Sequence, residues 1–488
     1  QFYVNISCLL YDNAGFRQAI GRFISSTKET MRSFHNPFLF ITTLVLNKKQ
    51  SILFNTNDLL NKKPIFASNK SPNNMKTVIQ SQREERDYLL SHPYLFRQTK
   101  YNVDELLTSK QIKLITGPRR VGKSTMGLLM LKDKNFAYLN FDDALLLESW
   151  DEAVVMETLK LIYPDYDYLL LDEIQNLDGW DLWVSKLYRH GINMFITGSN
   201  AKLLSGEMAT VLTGRYIQIE MMPFSLEEVF EWKKMNLRLI KDTEQTTAAA
   251  IIDDYLHNGG YPETIEARGL TRSYLSTLFD SIILKDIAKR HRVRNITDLN
   301  NLAMYLVTNF CNPLTANELA NELGFSSVAT TKKFMDFLKE PYLFFYLPRF
   351  NNKLKLMKNA PQKVYIVDNG FVASKAFGLS ENLGRLLENQ VFMELLRRGY
   401  DTERTLFYYR SRNDKETDFV TRNGTRIECL IQVCYDMSSP RTEKREVDSI
   451  IECAGELNCS NLVIVTKSES RTIEKNGYTV KVMMISEF

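Results

Sequence analysis

The 488-residue sequence has few of the residues that stabilise disulfide-rich or metal-bound domains, since it contains only six cysteines and five histidines. None of the cysteines forms a C-x-x-C pair, and their spacing is too irregular for a disulfide framework or a zinc site. The longest apolar run, residues 38–46, is far shorter than the roughly 20 residues of a membrane-spanning helix. No basic segment followed by an apolar one opens the sequence. We therefore expect a soluble cytoplasmic protein with no membrane partner.

Composition and charge point to a globular chain with an unusual beginning. Apolar residues make up 44% and charged residues 25%, which are globular values, and the length suggests about three domains. Residues 1–74 hold nine Lys and Arg against three Asp and Glu, a net charge of +6, so the total of +4 leaves −2 for the rest. Overall basicity therefore does not indicate nucleic-acid binding by residues 75–488. We interpret residues 1–74 as an atypical extension, either not native or an accessory arm.

The strongest pattern is a phosphate-binding loop that follows a predicted buried strand at residues 112–116 and precedes a predicted helix at residues 125–132. The pattern G-x-x-x-x-G-K-[ST] is filled by Gly117, Gly122, Lys123 and Ser124. Its glycines let backbone N–H groups surround phosphate oxygens at a helix N-terminus. We expect Lys123 to bridge the β- and γ-phosphates of ATP and Ser124 to bind Mg²⁺. The predicted nucleotide-binding residues are Gly117, Pro118, Arg119, Arg120, Val121, Gly122, Lys123, Ser124 and Thr125. Arg119 and Arg120 could contact phosphate or brace the loop against preceding acidic elements.

Two acids end a second apolar strand, at residues 168–172, about fifty residues after the loop. The carboxyl ends of parallel strands are where α/β sheets bind ligands. We expect Asp172 to hold the magnesium ion and Glu173 to orient and deprotonate the water that attacks the γ-phosphate. The order of the two motifs along the chain strengthens both assignments.

Further polar groups flank the next two predicted strands. Asn200 or Ser199, after the strand at residues 193–197, could sense the γ-phosphate and the attacking water. Arg215 precedes a predicted strand at residues 216–220, and its guanidinium could neutralise transition-state charge in its own active site or in a neighbour's. A surface or packing role for Arg215 is an equally good interpretation.

Together, five motifs resemble those of prokaryotic AAA-type ATPases that carry a C-terminal domain of unknown function, similar to restriction-endonuclease-like folds. They lie at residues 117–125, 171–175, 197–200, 212–215 and 259–263, and the resemblance covers residues 75–488. It implies an α/β P-loop NTPase fold with an AAA/RecA-like parallel sheet. The expected organisation is an ATPase core at 75–222, a helical lid at 223–295, a winged helix-turn-helix at 296–355 and a nuclease-like α/β domain at 356–488.

A helix-turn-helix pattern occupies residues 314–334, with Gly324 at the turn and a candidate wing at residues 342–355. DNA contact requires cations that face the phosphates. The cations of the basic stretch at residues 349–363, which contains no acid, are Arg349, Lys353, Lys355, Lys358 and Lys363. Double-stranded DNA is one candidate partner of this region; a solvated hairpin or a protein-docking surface is the other.

The last region resembles a nuclease pattern with substitutions at two positions. Glu388 on a predicted helix, Asp418 in a predicted hairpin and Gln432 on a strand fit the metal-binding positions. Cys434 stands where such nucleases require lysine. We therefore expect this domain to be catalytically inactive.

The sequence thus predicts a P-loop ATPase whose nucleotide state switches the arrangement of lid, winged helix and C-terminal domain, with ATP and Mg²⁺ as cofactors. An unidentified protein partner and a homo-oligomer are further expectations. The alternative is a non-hydrolysing regulatory or DNA-binding module that uses ATP as a structural ligand. Glu173 favours hydrolysis, because a pure binder needs no carboxylate to activate water. An ATP-driven nuclease is disfavoured by Cys434.

Overall fold

The computed structural model describes residues 72–199, 212, 214–266, 268–376 and 382–488. The predicted extension at residues 1–74 lies almost entirely outside this part of the chain, and so does Asn200. None of the described helices combines the length and apolar character that crossing a membrane requires.

A five-stranded parallel sheet forms the centre of the first half. Its strands are β1 Ile112–Thr116, β2 Phe136–Asn140, β3 Tyr168–Asp172, β4 Asn193–Gly198 and β5 Tyr216–Glu220. The order is β2-β3-β4-β1-β5, and all four pairings are parallel. Residues of β1 and β3 are almost entirely buried, as expected for strands covered on both faces. Because β4 lies between β1 and β3, the two predicted nucleotide motifs meet at one edge of the sheet.

In the described residues of this half, the helices that surround the sheet are α1 Pro72–Leu90, α2 Val103–Thr108, α3 Lys123–Leu131, α4 Ala144–Glu148, α5 Glu152–Ile162 and α6 Trp180–Arg189. Side-chain caps set several of their starts: Asn102, Asp143 and Asp151 accept backbone N–H groups of the first turn. Helix α3 begins two residues earlier than predicted, because Gly122 adopts a left-handed conformation that ends the loop there.

Residues 223–295, which we call the lid, are mostly helical. They contain α7 Leu226–Trp232, α8 Gln245–Asn258, α9 Pro262–Ile265, α10 Thr271–Ser281 and the π-helical segment Ile282–Lys289. Ser225 caps α7 and forms a reciprocal capping box with Glu228. Helix α10 passes directly into the π-helical segment; π-helices are rare and frequently occur at functional sites.

A small antiparallel sheet of three strands follows the lid in the chain; one helix precedes its first strand, and two helices lie between its first and second strands. The elements are α11 Ile296–Thr308, β6 Pro313–Leu314, α12 Ala316–Glu322, α13 Val328–Lys339, β7 Phe344–Pro348, α14 Leu354–Asn359 and β8 Gln362–Ile366. The sheet order is β6-β8-β7. The candidate wing at residues 342–355 contains β7, and the strand that pairs with β7 is β8, beyond this range; the winged helix itself stays a prediction. This sheet therefore extends past the predicted boundary at residue 355, and α14 lies in the connection.

The remaining residues form a mixed six-stranded sheet with helices. Its elements are α15 Asn369–Lys375, α16 Leu383–Arg397, β9 Leu406–Arg410, β10 Glu416–Asn423, β11 Arg426–Val433, α17 Pro440–Leu457, β12 Leu462–Thr466, β13 Arg471–Lys475 and β14 Tyr478–Met484. The strand order is β13-β14-β12-β11-β10-β9. Five cysteines lie in the described residues; all are buried and free.

Buried amides join the lid to this C-terminal region. The Asn389 side chain bonds both backbone polar groups of Ile366 and the side chain of Asn369. Asn369 in turn donates to the carbonyls of Leu256, in the lid, and Leu386. Residues on both sides of the predicted boundaries at 295 and 355 therefore share one interior, and a single hydrophobic core runs through them.

The glycine pair of the predicted motif at residues 259–263 is explained by a close approach to the C-terminal region. The Gly260 N–H donates to Asp368 Oδ2 at 2.7 Å. A Cβ atom on Gly259 would lie 1.7 Å from Asp368 Oδ1, and Gly259 has a φ of +72°. Only glycine fits such a position.

Candidate active site

The loop between β1 and α3 has a conformation that its glycines make possible. Gly117 has a φ of +142°, and a Cβ atom there would lie 2.0 Å from the carbonyl oxygen of Met221. Gly122, with a φ of +91°, caps α3. The loop therefore wraps the N-terminus of a helix, where backbone N–H groups and the helix dipole favour an anion.

Lys123 is buried and makes its hydrogen bond to the loop itself. Its Nζ donates to the Pro118 carbonyl at 2.8 Å and lies 3.9 Å from Glu173 Oε1. Burial lowers the pKa of Lys123, while Glu173 and Asp172 act to raise it. The amine thus faces the acidic end of β3, and its hydrogen-bond partner is neutral.

Asp172, at the end of β3, connects the two predicted motifs. Its Oδ1 accepts a hydrogen bond from Ser124 Oγ at 2.7 Å and another from the Thr197 hydroxyl. Tyr138 donates to the other carboxylate oxygen at 3.2 Å. Burial raises the pKa of Asp172 to about 6. The predicted metal ligands Ser124 and Asp172 are therefore in direct contact, although 48 residues separate them.

These oxygen donors fit magnesium. Mg²⁺ binds hard oxygen ligands and usually takes one or two from the protein, completing its shell with water and substrate phosphates. The hydroxyl of Ser124 and the carboxylate of Asp172 supply such ligands beside the phosphate-binding loop.

Glu173 follows β3 in a left-handed backbone conformation, with φ 51° and ψ 43°. For a residue other than glycine this conformation costs about 1 kcal/mol or more and is common at functional sites. Its N–H donates to Thr197 Oγ1 at 3.0 Å, and its carboxylate accepts a hydrogen bond from Gln175. The side chain faces Lys123, so the predicted general base lies beside the predicted phosphate-binding lysine.

Thr197 and Gln175 were not assigned a role from the sequence. Thr197 is fully buried at the end of β4 and contacts both acids, Asp172 through its hydroxyl hydrogen and Glu173 through its oxygen. A polar residue that ends a buried apolar strand was the available signal. Ser199, one of the two predicted sensors, is buried just beyond β4; the other, Asn200, lies outside the described residues.

Arg215 is not brought to the phosphate-binding loop. The neighbouring residue Tyr216 pairs with Ile112 at the amino end of β1, whereas the loop follows the carboxyl end of that strand. The guanidinium donates to Ser185 Oγ at 3.1 Å and lies over the Tyr188 ring. A role in its own active site is therefore wrong for this arrangement, because the two groups lie at opposite edges of the sheet. Action in a neighbouring subunit stays a prediction.

The two arginines of the loop contact acids of the lid, rather than acids that precede the loop. Arg119 Nε lies 3.4 Å from Asp286 Oδ2, and Arg120 Nη1 lies 3.1 Å from Glu263 Oε1. Asp286 is buried on the π-helical segment. Burial raises its pKa, and Arg119 acts to lower it. The loop is thus tied to the lid through both arginines.

A further arginine, missed in the sequence, fixes the loop from the other side. Arg97 is buried in an ion pair with Glu228, the residue that completes the capping box of α7. Its Nη1 donates to the Val121 carbonyl at 3.0 Å, and its Nη2 donates to the Met222 carbonyl at 2.9 Å. Arg97 therefore connects the loop to the start of the lid.

The predicted nuclease-like residues Glu388 and Asp418 lie around Lys363, which we predicted to be one of the cations of the basic stretch at residues 349–363. Lys363 of β8 is buried, and its Nζ lies 3.0 Å from Glu388, 2.8 Å from Glu416 and 2.8 Å from Asp418. It is therefore not a cation exposed to DNA. We call Lys363, Glu388, Glu416 and Asp418 the C-terminal cluster.

The other two predicted positions lie beside this cluster. Gln432 accepts the Asp418 N–H at 3.3 Å and donates to Glu446 at 3.0 Å. The Cys434 thiol donates to the Asp436 carbonyl. The lysine that pairs with the predicted acids, Lys363, belongs to a different sheet from Gln432 and Cys434.

A parallel α/β sheet with a phosphate-binding loop after one strand and an acidic end on the strand two positions away defines a P-loop nucleotide-binding protein, and the comparisons with known proteins agree. Residues 109–230 match the model of an AAA domain, which confirms the predicted AAA-type P-loop fold. Residues 249–382 and 383–488 match two domains of unknown function, DUF8612 and DUF4143. The nuclease-like fold predicted for the last region stays a prediction.

Two relatives extend over most of the chain. An uncharacterized protein of Methanocaldococcus jannaschii is 31% identical over 400 residues, which are 78% of this chain and 89% of the relative. An uncharacterized protein of Haemophilus influenzae is 32% identical over 344 residues, 67% of this chain and 83% of the relative. The chain belongs to the family of these two proteins. Among solved structures, a Walker-type ATPase of Pyrococcus abyssi is similar at 14% identity and a TM-score of 0.33, over 60% of this chain and 95% of that one.

Proposed function

We propose that the protein binds and hydrolyses ATP with Mg²⁺, and that its nucleotide state controls the position of the lid and of the C-terminal region attached to it. The contact between Ser124 and Asp172 at 2.7 Å carries this proposal, because it joins the phosphate-binding loop to the acidic strand end. A pure nucleotide binder would not need Glu173 beside Lys123.

Residues of the chain itself can position the phosphates of ATP and the attacking water. Loop N–H groups and Lys123 hold the β- and γ-phosphates, and the lysine exchanges its bond to Pro118 for a phosphate oxygen. Glu173, oriented by Gln175 and Thr197, holds the attacking water and accepts its proton. Mg²⁺, held by Ser124 and Asp172, supplies neutralisation of phosphate charge when it is bound.

Two substitutions separate binding from hydrolysis. Lys123→Ala removes the cation that contacts phosphate and should weaken ATP binding about 100-fold. Glu173→Gln keeps the shape of the side chain but not the base, so ATP should still bind while turnover falls about 100-fold or more. Equilibrium binding of a fluorescent ATP analogue and release of phosphate measure the two effects.

Exposed residues of the same types serve as matched controls. Lys132→Ala and Glu157→Gln change exposed side chains and should leave binding and turnover unchanged. Equal turnover in the wild type and Glu173→Gln would contradict the assigned base. ATP binding without phosphate release in the wild type would support the alternative of a non-hydrolysing module.

We also propose that residues 296–366 bind double-stranded DNA as a winged helix. The order of helices and strands from α11 to β8, with the sheet order β6-β8-β7, supports this interpretation. Helix α14 adds exposed lysines at 353, 355 and 358 and two leucines, Leu354 and Leu356, that are more than half exposed.

Salt dependence tests this second proposal. Each phosphate contact contributes about 0.9 to the slope of log affinity against log salt concentration. Replacing Lys353, Lys355 and Lys358 with Gln should lower the slope for duplex DNA by about 3, whereas replacing exposed Lys132 should not change it. An unchanged slope in the triple variant would assign α14 to a protein partner instead.

A further inference from the structure

The lid presents two acids to the phosphate-binding loop, and each pairs with one of its arginines. Glu263 follows the glycine pair and reaches Arg120, a contact that is largely exposed. Asp286 lies on the π-helical segment and reaches Arg119; its side chain is 10% exposed. The buried pair is the one that a bound nucleotide would have to disturb.

Asp286 belongs to a compact group of charges around the phosphate-binding loop. Its carboxylate interacts electrostatically with Arg119, Arg290, Glu173 and Lys123, and Lys123 Nζ is 3.9 Å from Glu173. The cations Arg119 and Lys123 of the loop thus face two carboxylates from the strand end, Asp172 and Glu173, and one from the lid, Asp286. A γ-phosphate that binds Lys123 adds negative charge to this group, and like charges at short range repel strongly in a buried site.

Of these carboxylates, Asp286 is the one that the lid carries. Glu173 is fixed by the sheet, since its N–H is bonded to Thr197. Asp286 is joined to the loop through the Arg119 ion pair and sits in a π-helical segment. Such segments lack the usual helical hydrogen-bond pattern and are frequent at functional sites.

We propose that Asp286 is the residue through which the lid senses the γ-phosphate. In the absence of a triphosphate, Arg119 holds Asp286 against the loop. When ATP is bound, the γ-phosphate takes Arg119 as its partner and repels Asp286, which displaces the π-helical segment. ADP has no γ-phosphate and leaves the ion pair in place. This inference rests on the proposed ATP binding and assigns Asp286 as a positioning residue.

The π-helical segment is connected to the C-terminal region through helix α10. Helix α10, which continues into the π-helical segment, packs on α15: the Phe279 and Phe371 rings lie 5.7 Å apart. On the same pair of helices, Lys375 Nζ lies 2.6 Å from Asp280. Movement of the segment that carries Asp286 is therefore transmitted to α15 and to the buried amides attached to it.

The ratio of the affinities for a non-hydrolysable ATP analogue and for ADP tests the role of Asp286. Asp286→Asn removes the repelling charge, so the triphosphate should bind about tenfold more tightly, whereas ADP affinity should change less than about twofold. The control is Glu231→Gln, an equally conservative change of an exposed acid of the lid, on α7. A merely structural role would change both affinities alike, and that result or an unchanged ratio would overturn the proposal.

A distance measurement between spin labels, on protein that keeps Asp286, tests the proposal even if the Asp286→Asn variant does not fold. Spin labels at Leu284→Cys, which is half exposed in the π-helical segment, and at exposed Lys132→Cys report the distance between lid and core. The triphosphate analogue should change this distance by several ångströms, and ADP should not. Equal distances with both nucleotides would contradict the proposal. Failure of the wild type to bind either nucleotide would instead contradict the proposed ATP binding.

Discussion

The nucleotide site and the C-terminal cluster each contain a buried lysine near carboxylates, but the two lysines differ in how closely those carboxylates approach. Lys123 donates to a neutral carbonyl at 2.8 Å and has Glu173 at 3.9 Å. Lys363, in the C-terminal cluster, has three carboxylates within 3.0 Å. An ammonium group has three N–H donors, so the second lysine has a carboxylate for each donor.

The pKa shifts of the two lysines reflect this difference. Burial lowers the pKa of Lys123, and the acids near it only partly oppose that effect. Burial also acts to lower the pKa of Lys363, but Asp418, Glu388 and Glu416 raise it well above its ordinary value. The nucleotide site therefore holds a lysine whose ion-pair partner, Glu173, lies 3.9 Å away, whereas the lysine of the C-terminal cluster has three carboxylates within 3.0 Å.

The largest expected effect comes from breaking the C-terminal cluster. Lys363→Met leaves Glu388, Glu416 and Asp418 without their cation, and uncompensated buried charges of this kind typically lower the free energy of unfolding by about 3–5 kcal/mol. Urea unfolding followed by circular dichroism measures the change. Lys358→Met, on exposed α14, is the control and should change stability by less than about 0.5 kcal/mol. A neutral result at position 363 would mean that the cluster is not what holds β8 to β10.

A smaller effect is expected from the acid of the nucleotide site. The pKa of Asp172 is about 6 in the folded chain against an ordinary value of 3.8, so the folded protein binds this proton more tightly than the unfolded one. Its stabilising contribution is complete below about pH 4 and is lost as pH rises through 6. In metal-free protein at pH 7.5, Asp172→Asn should therefore raise the free energy of unfolding, by up to about 3 kcal/mol.

Urea unfolding at pH 4 and pH 7.5 checks this sign. The difference between variant and wild type should be small at the lower pH and large at the higher one, and Mg²⁺ with ADP should stabilise only the wild type. Asp142→Asn, beyond the end of β2 and exposed, is the matched control. The same difference at both pH values would show that charge at position 172 is not responsible.

The smallest expected effect is the absence of nuclease activity. Because the Lys363 amine fills the C-terminal cluster, we expect purified protein to leave supercoiled plasmid intact in the presence of Mg²⁺. Agarose electrophoresis over several hours, with a commercial restriction enzyme as positive control, measures this. If the plasmid is cleaved and Asp418→Ala abolishes the cleavage, our expectation is wrong and the C-terminal cluster is a second catalytic site.

How far the sequence predicts each part depends on how local its determinants are. The phosphate-binding loop and the acids at the end of β3 were predicted because each motif is contiguous and comes with a short, mostly apolar strand. The capping box at Ser225 is equally local. Arg215 shows the limit of this reasoning: its position before a strand was clear from the sequence, but the edge of the sheet on which it lies depends on the parallel pairing of β5 with β1.

The contacts that were missed join residues far apart in the chain. Lys363 meets Asp418 across 55 residues, and Arg97 meets Glu228 across 131. Periodicity within one element does not reveal such pairs, because each member looks like an ordinary surface charge in its own segment. The structure shows that these charged side chains are buried, and a buried charge requires a partner.

The side chain of Asn389 has a consequence for how this family can be divided. It lies on α16, in the second domain of unknown function, and satisfies the backbone of Ile366, in the first. A protein truncated after residue 382 would leave these amide groups unpaired, at a cost of about 1–3 kcal/mol for each. Residues 249–488 should therefore be expressed, exchanged between homologues and inherited as a single unit.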